Sequence, residues 1–70
     1  MEWEQIVGAN IRRLRKERGL SQEALAGEAG LAMRHLGRIE RGEGNPTVAI
    51  LGKLAEVLGV LPTDFYAVGQ

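Results

Sequence analysis

An all-α domain built from five short helices is the fold class that this 70-residue chain predicts, and three observations predict it. Its apolar residues recur at helical spacing, with no sustained period-two alternation of the kind that marks a half-buried strand. Ten glycines and two prolines supply most of the breaks between those periodic stretches. The breaks are short, so consecutive helices must cross at steep angles around one core instead of running as a long up-and-down bundle. The chain therefore reads as a single domain over residues 1–70, with no internal repeat or linker.

Helix one is expected over about residues 2–18. Trp3, Val7, Ile11 and Leu14 fall at i, i+4, i+8 and i+11, one apolar stripe that stops at Gly19. Trp3 is expected to plug the base of the small core. Helix two covers 22–29: the Ser21 hydroxyl can accept from a free backbone N–H, Glu23 suits the positive first turn, and Leu20 can staple onto Leu25. Gly30 then permits a turn with positive φ, and Leu31 with Leu36 repeats the staple offset, which starts helix three over 33–41. The stretch GEGNP, residues 42–46, is a loop by composition. Thr47 caps helix four over 48–58, whose apolar face is Val48, Leu51, Leu54, Ala55 and Leu58 and which stops at Gly59. A fifth helix is expected over 62–67 with Pro62 at its first position, and the last few residues are expected to fray.

Length and composition bound the function. A chain this short buries only about 60% of the surface its unfolded form exposes, which leaves no room for a large cavity and makes large-substrate enzymes a poor fit. Without cysteine, a disulfide framework, a thiolate zinc site and an iron–sulfur centre drop out. The first ten residues, MEWEQIVGAN, carry acids where a secretory leader is basic, and no apolar run approaches the roughly 20 residues of a membrane span. A soluble, cytoplasmic protein with no membrane contact is expected. Nine basic residues balance nine acidic ones, yet residues 10–41 hold eight bases against four acids, a local +4 that the rest of the chain cancels. That basic middle can meet an anionic partner; the plain alternative is that RRLRKER is only the solvated face of a helix.

The informative feature is the pair of helices from Ser21 to Arg41, joined by a turn of about three residues around Gly30. So tight a turn makes the second helix cross the first, which is helix-turn-helix geometry. Ala26 is small where the helices would touch, and Leu36 and Ile39 supply apolar contacts at the back of the second helix. With those two facing inward, helical spacing turns Met33, Arg34, Gly37, Arg38 and Arg41 outward. An arginine fork can pair with O6 and N7 of guanine, so Arg34 and Arg38 at i, i+4 form a face chemically suited to DNA.

The stretch GLSQEALAGEAGLAMRHLGRIERGEGNPTVAILGKLAEVLGV, residues 19–60, resembles the Xre/Cro-type helix-turn-helix family of phage and bacterial repressors. With helix one included, the resemblance covers about 65 residues, and several motifs agree in order: LSQ opening helix two, the LA pair within it, IERG closing helix three, NPT before helix four, and the final LGV. The resemblance implies a five-helix, lambda-repressor-like domain that dimerises and lays its third helix in the major groove of double-stranded DNA. By the same resemblance Met33, Arg34 and Arg38 match base-reading positions. Gln22 and Arg41 match phosphate-contacting positions, with Gln22 also buttressing the recognition helix, and Asn45 in the loop after Arg41 adds a backbone contact; His35, on the polar flank of helix three, is a further phosphate-contact candidate by its place alone, with plain exposure as the alternative. Arg15 and Glu40 match a pair that forms a partly buried ion bridge between helices one and three.

Departures from the family pattern carry expectations of their own. Ala32 stands where a Ser or Thr cap is common, which forgoes a capping bond worth about 1 kcal/mol. Gly37 costs helix three about another 0.8–1 kcal/mol relative to alanine, unless it serves to let the backbone approach the groove. Glu43 places a negative charge in a loop that relatives make basic, so modest non-specific phosphate affinity is expected. Leu61 replaces a polar cap, and with Phe65 and Tyr66 it could form a dimer contact or join the core.

Other constellations are weaker. His35 is the only histidine and has no second His or Cys to share a metal. Ser21, His35 and Asp64 could be assembled on paper into a hydrolytic triad, but Ser21 already has a capping role. Gly27 to Gly30 has the spacing of a backbone clamp for RNA, a module that needs strands. No enzyme activity, cofactor, metal or small-molecule ligand is expected. A sequence-specific, homodimeric transcriptional regulator is the leading expectation, with a protein-interaction or dimerisation module of the same fold as the alternative.

Overall fold

The computed structural model describes residues 2–68. Four α-helices follow one another: α1 (Trp3–Glu17), α2 (Gln22–Ala29), α3 (Met33–Glu40) and α4 (Val48–Leu58). The fifth element is not an α-helix. Pro62–Tyr66 forms a short 3-10 helix, which corrects the expectation for 62–67. The physical reason is local: the Asp64 N–H bonds the Leu61 carbonyl three residues back at 2.9 Å, and the Asp64 carboxylate accepts from the Leu61 N–H at 2.9 Å. The chain is extended again at Ala67, so no α-helical turn can propagate. The expected fraying of the chain end falls partly on Gly69 and Gln70, which lie outside the described residues.

Side-chain oxygens start two of the helices. Ser21 Oγ accepts from the Ala24 N–H at 3.0 Å to open α2, and Thr47 Oγ1 accepts from the Ile50 N–H at 3.1 Å to open α4. Helix α3 begins after Ala32 with no side-chain cap. The turn before it is made by Gly30, whose φ of 74° is left-handed backbone that a β-carbon would strain, and the Leu31 N–H closes it onto the Ala26 carbonyl at 2.8 Å.

One core holds these elements together. Val7 and Ile11 of α1, Leu25, Ala26 and Ala29 of α2, Leu36 and Ile39 of α3, and Leu51, Leu54, Ala55 and Leu58 of α4 form one cluster with Phe65. Leu20 and Leu31, one residue before each cap position, pack half-buried against it. Each fully buried aliphatic or aromatic side chain contributes roughly 1.5–3 kcal/mol. The expectation that Trp3 plugs the base of the core is corrected here: it is 49% exposed, while Phe65 is fully buried. Trp3 instead leans on Tyr66, with ring centroids 5.8 Å apart and planes tilted by 55°.

Two contacts set where α3 lies. At Gly8 of α1 an added β-carbon would come within 2.3 Å of the Ile39 carbonyl oxygen and 2.8 Å of that of Glu40, so α1 and α3 touch backbone to backbone. Asn10, buried on α1, donates from Nδ2 to the Phe65 carbonyl at 2.7 Å and to the Ala67 carbonyl at 2.9 Å, which ties the C-terminal segment across the same helix. Among the described residues no helix is long and apolar enough to cross a membrane.

Candidate nucleic-acid interface

Helix α3 is divided cleanly by its own spacing. Leu36 and Ile39 are sealed in the core, whereas Met33, Arg34, His35 and Arg38 are exposed. Neither Arg34 nor Arg38 joins any of the three ion pairs among the described residues, so both guanidinium forks are open to an external acceptor. One outward assignment fails. Gly37 is buried, not presented, because the Gln22 amide and the Arg41 guanidinium lie over it; a β-carbon there would sit 3.3 Å from Arg41 Nη1 and 3.8 Å from both polar atoms of the Gln22 amide.

Beneath this face one carboxylate joins three helices. Glu40 accepts from Arg15 Nε at 2.8 Å and from Arg15 Nη2 at 3.0 Å, a two-pronged bridge with both side chains almost wholly buried. The remaining Arg15 nitrogen, Nη1, donates to the Leu20 carbonyl at 2.9 Å. Glu40 Oε1 also accepts from Gln22 Nε2 at 3.0 Å. Among the described residues no buried side-chain polar atom lacks a partner, so the charge is compensated where it is hidden. The network holds the end of α3 against α1 and orients the first residue of α2. Gln22 is thereby fixed beside Arg41 at the edge of the exposed face.

The loop after α3 completes the arrangement. Arg41 is exposed and holds Glu43, with Nε to Oε2 at 3.2 Å and Nη2 to Oε1 at 3.3 Å. Asn45 is exposed and borders a shallow hollow with Trp3, Glu4, Pro46 and Tyr66. Gln22, Met33, Arg34, His35, Arg38 and Arg41 thus belong to the helix-turn-helix itself, and Asn45 to the loop leaving it. Leu61 and Tyr66 are exposed on the 3-10 segment, 67% and 43% respectively. Phe65 is fully buried and cannot contact a partner, which corrects its inclusion among the dimer candidates.

Sequence reasoning missed three residues that shape the site. Asn10 follows Trp3 by two helical turns, so a polar side chain on the apolar stripe signalled a buried hydrogen bond. Gly8, inside a helix and next to Val7, signalled a close approach. Arg18 was counted with the basic surface, but its guanidinium donates to the Leu58 carbonyl at the end of α4, a favourable place for a cation.

Two short helices about a glycine turn, the second carrying an unpaired arginine face, define the class of helix-turn-helix, DNA-binding transcription regulators. The chain belongs to the helix-turn-helix family HTH_3, whose family model matches residues 11–65. It is 45% identical over 70 residues to the HTH-type transcriptional regulator y4dJ of Sinorhizobium fredii, an alignment covering 91% of each chain. Its fold is similar to that of the restriction-modification controller protein C.AhdI from Aeromonas hydrophila, with a TM-score of 0.87 and 36% identity over 90% of this chain and 96% of that one. It is also similar to SinR, a master regulator for biofilm formation solved in complex with DNA, with a TM-score of 0.83 and 37% identity over 87% of this chain and 98% of that one.

Proposed function

We propose that the protein is a cytoplasmic, homodimeric transcriptional regulator that reads a pseudo-palindromic operator through α3 in the major groove. The observation that carries this reading is the face of Arg34 and Arg38, exposed on a helix whose opposite side is locked into the core. Arg34 and Arg38 each present a fork to guanine, and a good bidentate pair is worth about 1–3 kcal/mol of discrimination. The Met33 thioether suits a thymine methyl. Gln22, Arg41, Asn45 and His35 meet the flanking phosphates and set the register without reading sequence.

Two copies meet through Leu61 and Tyr66 in this reading, which sets the recognition helices about 34 Å apart on one face of the duplex. The SinR structure with DNA supports the choice of partner, and the controller C.AhdI shows that a chain of similar extent and fold serves as a regulator.

The test is selection of bound duplexes from a random pool at two salt concentrations. A symmetric sequence should be enriched, and Arg38→Ala should abolish its recognition with helix content and melting temperature unchanged. Failure to enrich any sequence after several rounds, together with recovery of a stoichiometric protein partner, would replace this reading with that of an interaction module.

A further inference from the structure

We propose that Glu43 acts as a built-in competitor for the DNA phosphate at Arg41, setting how strongly the protein holds DNA of any sequence. This rests on the DNA-binding reading above, and on Arg41 as a phosphate contact within it.

The geometry is that of a carboxylate standing where a phosphate would. Arg41 offers two parallel donors along its Nε and Nη2 edge, and both Glu43 oxygens take them at 3.2 and 3.3 Å. Carboxylate and phosphate compete for the same edge because each presents two oxygens to the guanidinium fork. The other end of the guanidinium, Nη1, lies over Gly37, 3.3 Å from where a β-carbon would be. A phosphate arriving at Arg41 therefore finds the side-on Nε and Nη2 edge taken by Glu43 and has to displace that carboxylate or use the end-on donors, whose Nη1 lies over Gly37.

The placement of Glu43 is set by the backbone. Beyond the end of α3 at Glu40, Gly42 with a φ of 77° turns the chain back, and the Glu43 N–H donates to the Arg38 carbonyl at 3.0 Å. The carboxylate is thus delivered beside Arg41 by the same hydrogen bonds that end the helix. Both side chains are more than half exposed, at 58% and 55%, so the pair can open when DNA arrives. A buried pair would block binding; an exposed one only taxes it. Exposed pairs of this kind shift an equilibrium by about 1.4- to 5-fold. Because Arg41 touches backbone and not bases, the same factor applies to operator and to arbitrary DNA.

The experiment measures binding of the full chain to a fluorescent duplex of arbitrary sequence across a salt series, for wild type, Glu43→Gln, Arg41→Gln and the double variant. All four must melt at the same temperature within a few degrees, as expected for exposed substitutions. The expected result is that Glu43→Gln binds about 2- to 5-fold tighter at low salt in the wild-type background and shows no gain in the Arg41→Gln background. A gain of equal size in both backgrounds would overturn the proposal and leave Glu43 as a simple repulsive charge. A loss of affinity would also overturn it, because Glu43 would then be orienting Arg41 toward the phosphate. If wild type shows no salt-sensitive binding to any duplex, the DNA reading itself fails and this inference falls with it.

Discussion

Gly8 and Gly27 are both glycines inside helices, and the structure gives them opposite meanings. At Gly8 a β-carbon would collide with the carbonyl oxygens of Ile39 and Glu40, while at Gly27 it would meet nothing within 4 Å. Gly8→Ala should therefore destabilise the domain by about 1–3 kcal/mol as α1 is forced away from α3. Gly27→Ala should stabilise it by up to about 1 kcal/mol through helix propensity alone. Urea titration of the two variants checks the contrast, and equal effects would mean that the α1–α3 contact is not closed. Glu40 makes a second residue-scale test. Glu40→Ala strands the buried Arg15 guanidinium and removes the partner of Gln22, so a loss of about 3–5 kcal/mol is expected. That is a large share of the stability of a 70-residue domain, and the variant should melt at a much lower temperature when followed by circular dichroism.

At the scale of elements, α3 is the helix with the weakest local support. It lacks a side-chain cap at Ala32 and carries Gly37, and it is held chiefly by Leu36, Ile39 and the Glu40 bridge. Ala32→Ser should add about 1 kcal/mol by satisfying a free N–H of the first turn. Gly37→Ala should add up to about 1 kcal/mol by propensity, because the atom it crowds is the end of the exposed Arg41 side chain, which can give way. A combined rise in melting temperature, measured by calorimetry, checks both; a fall for Gly37→Ala would mean that Arg41 is held rigidly. The bounds of α2 and α4 were legible because caps and stops are local: Ser21, Gly30, Thr47 and Gly59 act on neighbours within four residues. The form of 62–66 was not legible. The 3-10 turn rests on the local Leu61–Asp64 bonds together with the extended backbone at Ala67, and the Phe65 and Ala67 carbonyls that follow that turn are held by Asn10 of α1, 55 and 57 residues away along the chain.

For the whole molecule, the zero net charge becomes a distribution. Arg15 and Glu40 cancel each other inside the core, so the surface between residues 10 and 41 keeps its excess of +4. Arg18 is drawn to the end of α4 and Arg41 to Glu43, which trims the charge offered to DNA. Non-specific binding should accordingly be weak and strongly salt-dependent, and the operator complex should depend on pairing two copies. Leu61→Glu is expected to move the protein toward monomer in equilibrium sedimentation and to weaken operator binding, with arginine contacts and melting temperature unaffected. An unchanged oligomeric state would exclude the 3-10 segment as the dimer contact.

The amino-acid sequence by itself determined the four α-helices, the tight turn at Gly30 and the exposure of Arg34 and Arg38, because spacing, caps and turn glycines act over one helical turn. Tertiary structure alone decided that Phe65 is sealed in the core while Trp3 is half exposed, that Gly37 is covered, that Gly8 admits α3, and that Glu40 serves Arg15 and Gln22 together. Those outcomes depend on which distant side chains arrive at the same place, which spacing along one helix does not determine.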